Sequence, residues 1–158
     1  MDNHRVMIDI LSNAISFLGD VDPTWTYDKY NLFGLTSPTQ VFYDLYKELR
    51  GFVYDYTNAK QLWIQSWVNY HTPDQLLKRH NHAYPIHGYI CVNPHLTKTV
   101  FDDYEIENRI GDVYIGPGGR HHEVQLIEPF YTSRITIGFD VTDNPSKATG
   151  NLGMIPLI

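Results

Sequence analysis

The hydrophobic positions change period part-way along the chain. From about residue 38 to 57, Val41, Leu45, Leu49, Phe52, Val53 and Tyr56 recur every three to four positions, the stripe of an amphipathic helix. Ser37-Pro38-Thr39-Gln40 in front of it has the make-up of a capping box, with Ser at the N-cap, Pro at the first helical position and Gln at the third. Asn58 is the expected stop. After residue 60 the period becomes two. Leu62, Ile64 and Val68 share one face of a strand over 62–70, and Trp63, Gln65, Trp67 and Asn69 share the other. Five more runs follow at 84–92 (interrupted by Pro85 and Gly88), 97–101, 112–115, 122–127 and 133–141, separated by Pro, Gly and Asn. In the last of them Arg134, Thr136, Gly138 and Asp140 fall on one face. Ile135, Ile137, Phe139 and Val141 fall on the other, which is expected to be core. A helix followed by many short strands predicts a mainly β sandwich or barrel with a helical layer outside it.

The ends are less regular. Val6, Ile8 and Ile10 alternate as in a strand, while Met7, Ile10, Leu11 and Ile15 line a helix face, so both readings stay open. Residues 20–36 read as an ordered loop anchored by Trp25 and Phe33. The tail after Asp143 turns and then ends apolar, and is expected to pack back on the body or against a second subunit.

Composition narrows the classes. A length of 158 residues suits one domain over 1–158, its motif-bearing core at about 60–142. Twelve Lys and Arg against eighteen Asp and Glu give a net charge of -6, which disfavours a nucleic-acid partner. The N-terminus carries Asp2, Asp9 and Asp20, and no stretch reaches the ~18 apolar residues of a membrane span. With a free cysteine and no signal peptide, the cytoplasm is the expected location. There is neither a phosphate-binding loop nor a dinucleotide fingerprint, and Gly116-Pro117-Gly118-Gly119 lacks the lysine that phosphate binding needs. One cysteine, Cys91, excludes an intramolecular disulfide and any site built of several thiolates. Eight histidines stand against it, seven of them between 71 and 122, so a metal here would be held by nitrogen.

Three groups of residues could carry chemistry. His80-Asn81-His82 on an extended chain turns two imidazoles to one side. The segment 111–124 reads as strand, glycine turn and strand, a hairpin whose second strand opens with His122 and can return a third imidazole to that pair. Side chains so arranged form one face of an octahedral site, the geometry of non-haem Fe(II) oxygenases. His121 and Glu123 should face away from His122, so only one of the two adjacent histidines can be a ligand. Arg134 and Thr136, neighbours on one strand face, suit a carboxylate, which a guanidinium binds bidentately.

In this order, HxH, a distal His and R-x-[ST] twelve residues beyond it resemble the 2-oxoglutarate/Fe(II)-dependent oxygenases. The pattern is most similar to the small enzymes of this kind in phages and aquatic bacteria. It is carried by Ser66-Trp67-Val68-Asn69, His80-Asn81-His82, His87-Gly88-Tyr89, Pro117 through His122-Glu123-Val124, and Arg134-Ile135-Thr136-Ile137, over roughly residues 40–142. The resemblance implies a double-stranded β-helix, or jelly roll, with a flanking N-terminal helix. It implies Fe(II) on His80, His82 and His122, with Arg134 and Thr136 holding the distal carboxylate of 2-oxoglutarate. It further implies a dioxygenase that couples decarboxylation of this co-substrate to hydroxylation of a small-molecule or peptidyl substrate, in the host cytoplasm if phage-encoded. Two positions depart from the pattern. His82 stands where the broader superfamily has Asp or Glu, which leaves the centre one unit more positive, and His87 stands where a Ser is expected.

A cupin-type three-histidine metal protein, dioxygenase or binding protein, is the alternative. Gly111-x5-Pro117-x-Gly119-x2-His122 is similar to the second cupin motif, although Leu126 replaces its Asn. The first cupin motif fits less well, with Asp74 and His87 at its Gly and Glu positions. A non-catalytic jelly-roll interaction protein, with a homo-oligomer left open, is the third reading. The other singled-out residues have plainer expectations. His71 and His95 are read as surface residues, His4 as incidental, Trp63 and Trp67 as core, and Cys91 as a buried small apolar residue. His87, Tyr89 and Tyr114 are candidates for the pocket, Lys78 and Arg79 for its mouth.

Overall fold

In the computed structural model, which describes residues 2–18, 31–147 and 153–158, the change of period near residue 60 separates a helical layer from two sheets. The ambiguous N-terminus is a helix, α1 (Asn3–Leu18), with Leu11 fully buried. His4 is not incidental, because its Nε2 lies 2.5 Å from the carbonyl of Val92 and ties α1 to the sheet beneath. Within the expected loop, Leu32–Thr36 form a short helix, α2, and Phe33 is buried as an anchor. Trp25 lies outside the described residues.

Helix α3 (Gln40–Thr57) begins two residues later than the pattern suggests. Ser37 closes α2 and donates its hydroxyl to the Phe33 carbonyl, so no capping box forms over 37–40. Thr39 is the N-cap, but its hydroxyl donates back to the Thr36 carbonyl and does not cap the helix. Asn58 stops the helix as expected, in the left-handed region at φ 53°. The face α3 buries is Phe42, Leu49 and Val53, while Phe52 and Tyr56 are about half exposed. The two faces share Leu49 and Val53, and contact with the sheet chose between them.

The strands are β1 (Trp63–His71), β2 (Ile86–Asn93), β3 (Thr97–Phe101), β4 (Glu105–Glu107), β5 (Val113–Pro117), β6 (His122–Leu126), β7 (Arg134–Thr142) and β8 (Ile155–Pro156). They form two antiparallel sheets, one in the order β5-β2-β7-β1-β8 and one in the order β4-β3-β6. Side chains of β1, β2 and β7 meet those of β3 and β6 across one cavity, so the sheets face each other as in a jelly roll. The short strands β4 and β8 were not legible in the alternation. β8 pairs with the start of β1, and Leu157 is buried, so the tail packs back on the body.

One expected pairing does not occur. β5 and β6 do not form a hairpin; β5 pairs with β2 in the larger sheet and β6 with β3 in the smaller. The glycine-rich turn between them is a crossover from sheet to sheet. Its Gly118 passes so close to Tyr84 that a Cβ there would lie 2.0 Å from the Tyr84 carbonyl oxygen.

The apolar core sits outside the space between the sheets. Leu11, Phe33, Phe42, Leu49 and Val53 of the helices pack on Ile64, Val68, Ile90, Ile135, Ile137, Phe139 and Val141, all from the outer face of the larger sheet. β7 is buried along its whole length, and its inner face carries Arg134, Thr136, Gly138 and Asp140. No helix among the described residues is long and apolar enough to cross a membrane.

Asn31 joins three parts of this layer. Its amide donates to the carbonyls of Ile64 (2.8 Å) and Gly153 (2.7 Å), and its Oδ1 accepts from the Ser66 hydroxyl (2.9 Å) and the Gly34 N–H. Ser66 in turn accepts from the Phe33 N–H. Removing the amide leaves several buried groups unpaired, each worth about 1–3 kcal/mol. Asn31→Ala should therefore lower stability by about 2–4 kcal/mol in urea denaturation. A loss below about 1 kcal/mol would mean that water restores these bonds.

Candidate metal centre

The HxH segment lies outside the named strands but is fastened to β6. His80 and His122 exchange two backbone hydrogen bonds of 2.9 Å, and the Val124 N–H donates to the Leu77 carbonyl. The His82 N–H donates to the carbonyl of Gly118 in the crossover. This pairing puts the side chains of His80 and His122 on one face, and the two-residue period adds His82. One ligand atom from each of the three comes within 4.8 Å of the others. His82 and His122 are buried and His80 is partly so, whereas His121 is exposed. Of the two adjacent histidines, His122 is the one that joins the cluster.

Hydrogen bonds fix how the rings present themselves. His80 Nδ1 lies 2.6 Å from the Lys78 carbonyl, and His122 Nδ1 lies 3.2 Å from the Arg120 carbonyl. His82 Nδ1 lies 3.1 and 3.2 Å from the two oxygens of Asp140. Carbonyls and carboxylates only accept, so each Nδ1 carries the proton and each Nε2 keeps its lone pair. His82 Nε2 is buried and has no hydrogen-bond partner among the described residues. A buried lone pair costs free energy unless something occupies it. Gathered imidazoles whose Nδ1 protons are anchored to acceptors leave Nε2 as the free donor, the set that a divalent transition metal takes. The residues present fit such an ion.

Burial, reinforced by His87 and His80, brings the His122 imidazole down to about 3. Burial also brings His87 down to about 4, against the opposing pull of Asp140, and lowers His80. Asp140 would be raised by its own burial, but the His82 and His87 hydrogen bonds outweigh this and hold it below the usual carboxylate range. At neutral pH His80, His87 and His122 are therefore neutral imidazoles beside an ionised Asp140.

Two members of the site carry more weight than strand alternation implies. His87 is in the cavity, its Nδ1 3.0 Å from Asp140 Oδ1 and its ring stacked 3.6 Å from that of His82. Alternation alone places Asp140 on the same face of β7 as Arg134 and Thr136. Its function as common acceptor depends on the cross-strand register His87↔Asp140, which alternation within one strand does not show. Trp67 is buried as expected, but it also walls the cavity, stacked toward His82 and His87. Its indole lies over Gly138, where a Cβ would come within 2.5 Å of it. Tyr89 lines the cavity, while Tyr114 stacks on Tyr89 from outside the lining.

At the far end of the lining Arg134 is buried, its Nε 3.4 Å from Thr97 Oγ1 and its Nη1 3.3 Å from Thr136 Oγ1. Among the described residues no carboxylate pairs with it. Burial lowers it to about 10, so it stays charged at neutral pH. Asn69 donates to Thr136 Oγ1. The free volume enclosed is about 20 Å³, room for about one water.

Several plainer expectations are corrected. His71 is fully buried and stands opposite Arg134 in the β1–β7 register, because the strand runs one residue past the expected end. His95 pins a loop rather than facing solvent. It adopts φ 53°, stacks on Phe130 at 4.4 Å and bonds the Ser133 carbonyl. Arg79 is paired with Asp102, while the carbonyl of Lys78 orients His80. Cys91 is buried as expected, which raises its thiol to about 12 and leaves it unreactive.

No protein-family model and no curated protein matches the chain. Among solved structures it is similar to a cupin-2 domain containing protein from Shewanella frigidimarina NCIMB 400. That match has 19% identity and a TM-score of 0.38, over 49% of this chain and 69% of that one. It is also similar to an uncharacterized conserved protein with a double-stranded β-helix domain from Klebsiella pneumoniae subsp. pneumoniae MGH 78578. Here the identity is 16% and the TM-score 0.38, over 62% of this chain and 76% of that one. The chemistry of the centre has to be read from its own side chains.

The depressed imidazoles have a consequence for the metal-free protein. His122 and His87 are neutral in the fold down to about 3 and 4, but take up protons near 6.5 once the chain unfolds. Stability from these groups is complete above pH 6.5 and is lost as pH falls toward the folded values, by about 1.4 kcal/mol per pH unit for each. Urea midpoints of metal-free protein should hold steady between pH 7 and 8 and decline from pH 6.5 to 4. His122→Asn should flatten that decline, and an unchanged slope would mean that His122 is solvated.

Proposed function

We propose that this protein is a non-haem oxygenase that holds a divalent metal, iron in the working enzyme, on Nε2 of His80, His82 and His122, and takes 2-oxoglutarate as co-substrate. Arg134 carries this reading. A fully buried guanidinium with two long bonds to threonine hydroxyls lacks a counter-charge among the described residues, and burying it so is costly. It lines the same cavity as the histidines, so one anion can reach both ends. A dicarboxylate would place one carboxylate on Arg134 and Thr136 and offer its oxo-acid end to the metal.

When bound there, iron with 2-oxoglutarate would supply oxygen activation coupled to decarboxylation. The chain's part is to bind, orient and exclude water. Asp140 and two backbone carbonyls hold the imidazoles in the ligating tautomer. Trp67 and Tyr89 close the cavity wall. At about 20 Å³ the cavity must widen to admit a five-carbon dicarboxylate. The substrate fits the class of small molecules or peptidyl side chains, since a chain of net charge -6 does not favour nucleic acid.

The narrowness of the cavity favours one second reading, a cupin-type three-histidine metal protein that uses no oxo acid. Anaerobic Fe(II) with 2-oxoglutarate distinguishes the two. A visible charge-transfer band is expected for the oxygenase, and iron bound without the band would favour the cupin-type protein.

Three substitutions test the assignments. His122→Ala should lower metal occupancy at least tenfold while His121→Ala leaves it near wild type, read by metal analysis of untagged protein; the reverse order would move the ligand by one residue. Arg134→Met should keep metal binding and weaken 2-oxoglutarate binding about 100-fold or more. The ligand-free protein should become as stable as wild type or more so, by about 1–3 kcal/mol, because a buried unpaired charge is removed. Loss of stability with 2-oxoglutarate binding retained would make Arg134 a structural residue.

A further inference from the structure

Three neutral imidazoles leave a divalent ion with its full charge, where a two-histidine, one-carboxylate face would cancel part of it. We infer that Asp140 supplies that negative charge from behind His82, as a positioning residue one hydrogen bond removed from the metal. The inference rests on the histidine triad proposed above.

Asp140 is fully buried, and among the described residues no lysine or arginine pairs with it. Its partners are the Nδ1 protons of His82, at 3.1–3.2 Å, and His87, at 3.0 Å. A buried carboxylate with no cation beside it is costly, and a metal on the far nitrogen of His82 is the cation that would compensate it. The carboxylate in turn makes His82 a more basic ligand than an imidazole bonded to a carbonyl. His87 takes the remaining role. Stacked 3.6 Å from His82 with 9° between the planes, it donates to Oδ1 and holds the carboxylate in the position that His82 needs.

A rival arrangement uses the same residues. His82, His87 and Asp140 also have ligand atoms within 4.8 Å of one another and could hold an ion directly. Such an ion would have to displace the Nδ1 protons of both imidazoles, and would leave the buried Nε2 of His82 still without a partner. The geometry favours Asp140 behind the ligand.

Co(II) titration followed by its visible spectrum tests this without turnover. Wild type should bind; D140N should bind 10–100-fold more weakly. H82D/D140N, which moves the carboxylate onto the metal, should recover affinity to within about threefold of wild type. H87Q, which keeps a donor to Asp140, should stay within about fivefold. D140N that is folded by circular dichroism and binds as wild type does overturns the inference, and so does a double variant no better than D140N. A pattern in which H87Q loses as much as D140N, and His122→Ala loses nothing, puts the ion on His82, His87 and Asp140 instead. Wild type that binds no Co(II) overturns the triad itself, which separates that failure from this one. The unsubstituted protein gives an independent check by nuclear magnetic resonance. Zn(II) should move the Nδ1 proton resonance of His82 downfield more than that of His87, and equal or absent displacement counts against Asp140 acting through His82.

Discussion

The inner face of β7 is buried without being apolar, and the site depends on that constraint. Every second residue of this strand, from Ile135 to Val141, packs against the helical layer. Those contacts stabilise the sheet from outside, so the facing positions are free to hold an arginine, a threonine, a glycine and an aspartate in place of core. Gly138 lets Trp67 lie flat against the strand, and Thr136 and Asp140 take bonds from β1, from β2 and from the HxH segment. In a sandwich whose stability came from the space between its sheets, the same residues would be ruinous. Here the polar interior is affordable because the hydrophobic effect acts one layer away.

The two buried charges on that face complement each other. Among the described residues Arg134 lacks an anion and Asp140 lacks a direct cation, and five residues of strand separate them. Fold packing alone would pair them or replace both with apolar side chains. Separated as they are, Arg134 lines the cavity, while Asp140 lies behind His82 and His87. The strand sets two opposite charges toward opposite ends of one narrow space.

Much of this was legible in the chain. Alternation gave six strands to within a few residues, assigned the core face of β7 correctly and grouped Arg134, Thr136 and Asp140 on the other face. The i, i+2 rule brought His80 and His82 together. What the pattern lacked was register. The bond from His87 to Asp140, the pairing of His80 with His122 and the burial of His71 opposite Arg134 all arise between strands. A two-residue period along one strand carries no record of its neighbour. The crossover at 116–119 misleads for the same reason, because a glycine turn between two strands looks alike whether they pair or part. The ends failed differently. α2 is five residues long and β8 two, too short for any period to emerge.

The crossover and the fastened HxH segment have a mechanical consequence. With one cysteine the chain cannot staple itself, and the two sheets are joined covalently only by their connections. His82 leans through Asp140 on the larger sheet, while His122 belongs to the smaller. An ion shared by both would rivet one sheet to the other and close a ring of 41 residues, counted from 82 to 122 inclusive. Loop closure of that size restricts the unfolded chain much as a disulfide does, and it reverses when the ion leaves. The supply of metal in the surroundings would then regulate how long the folded protein lasts as well as what it can do.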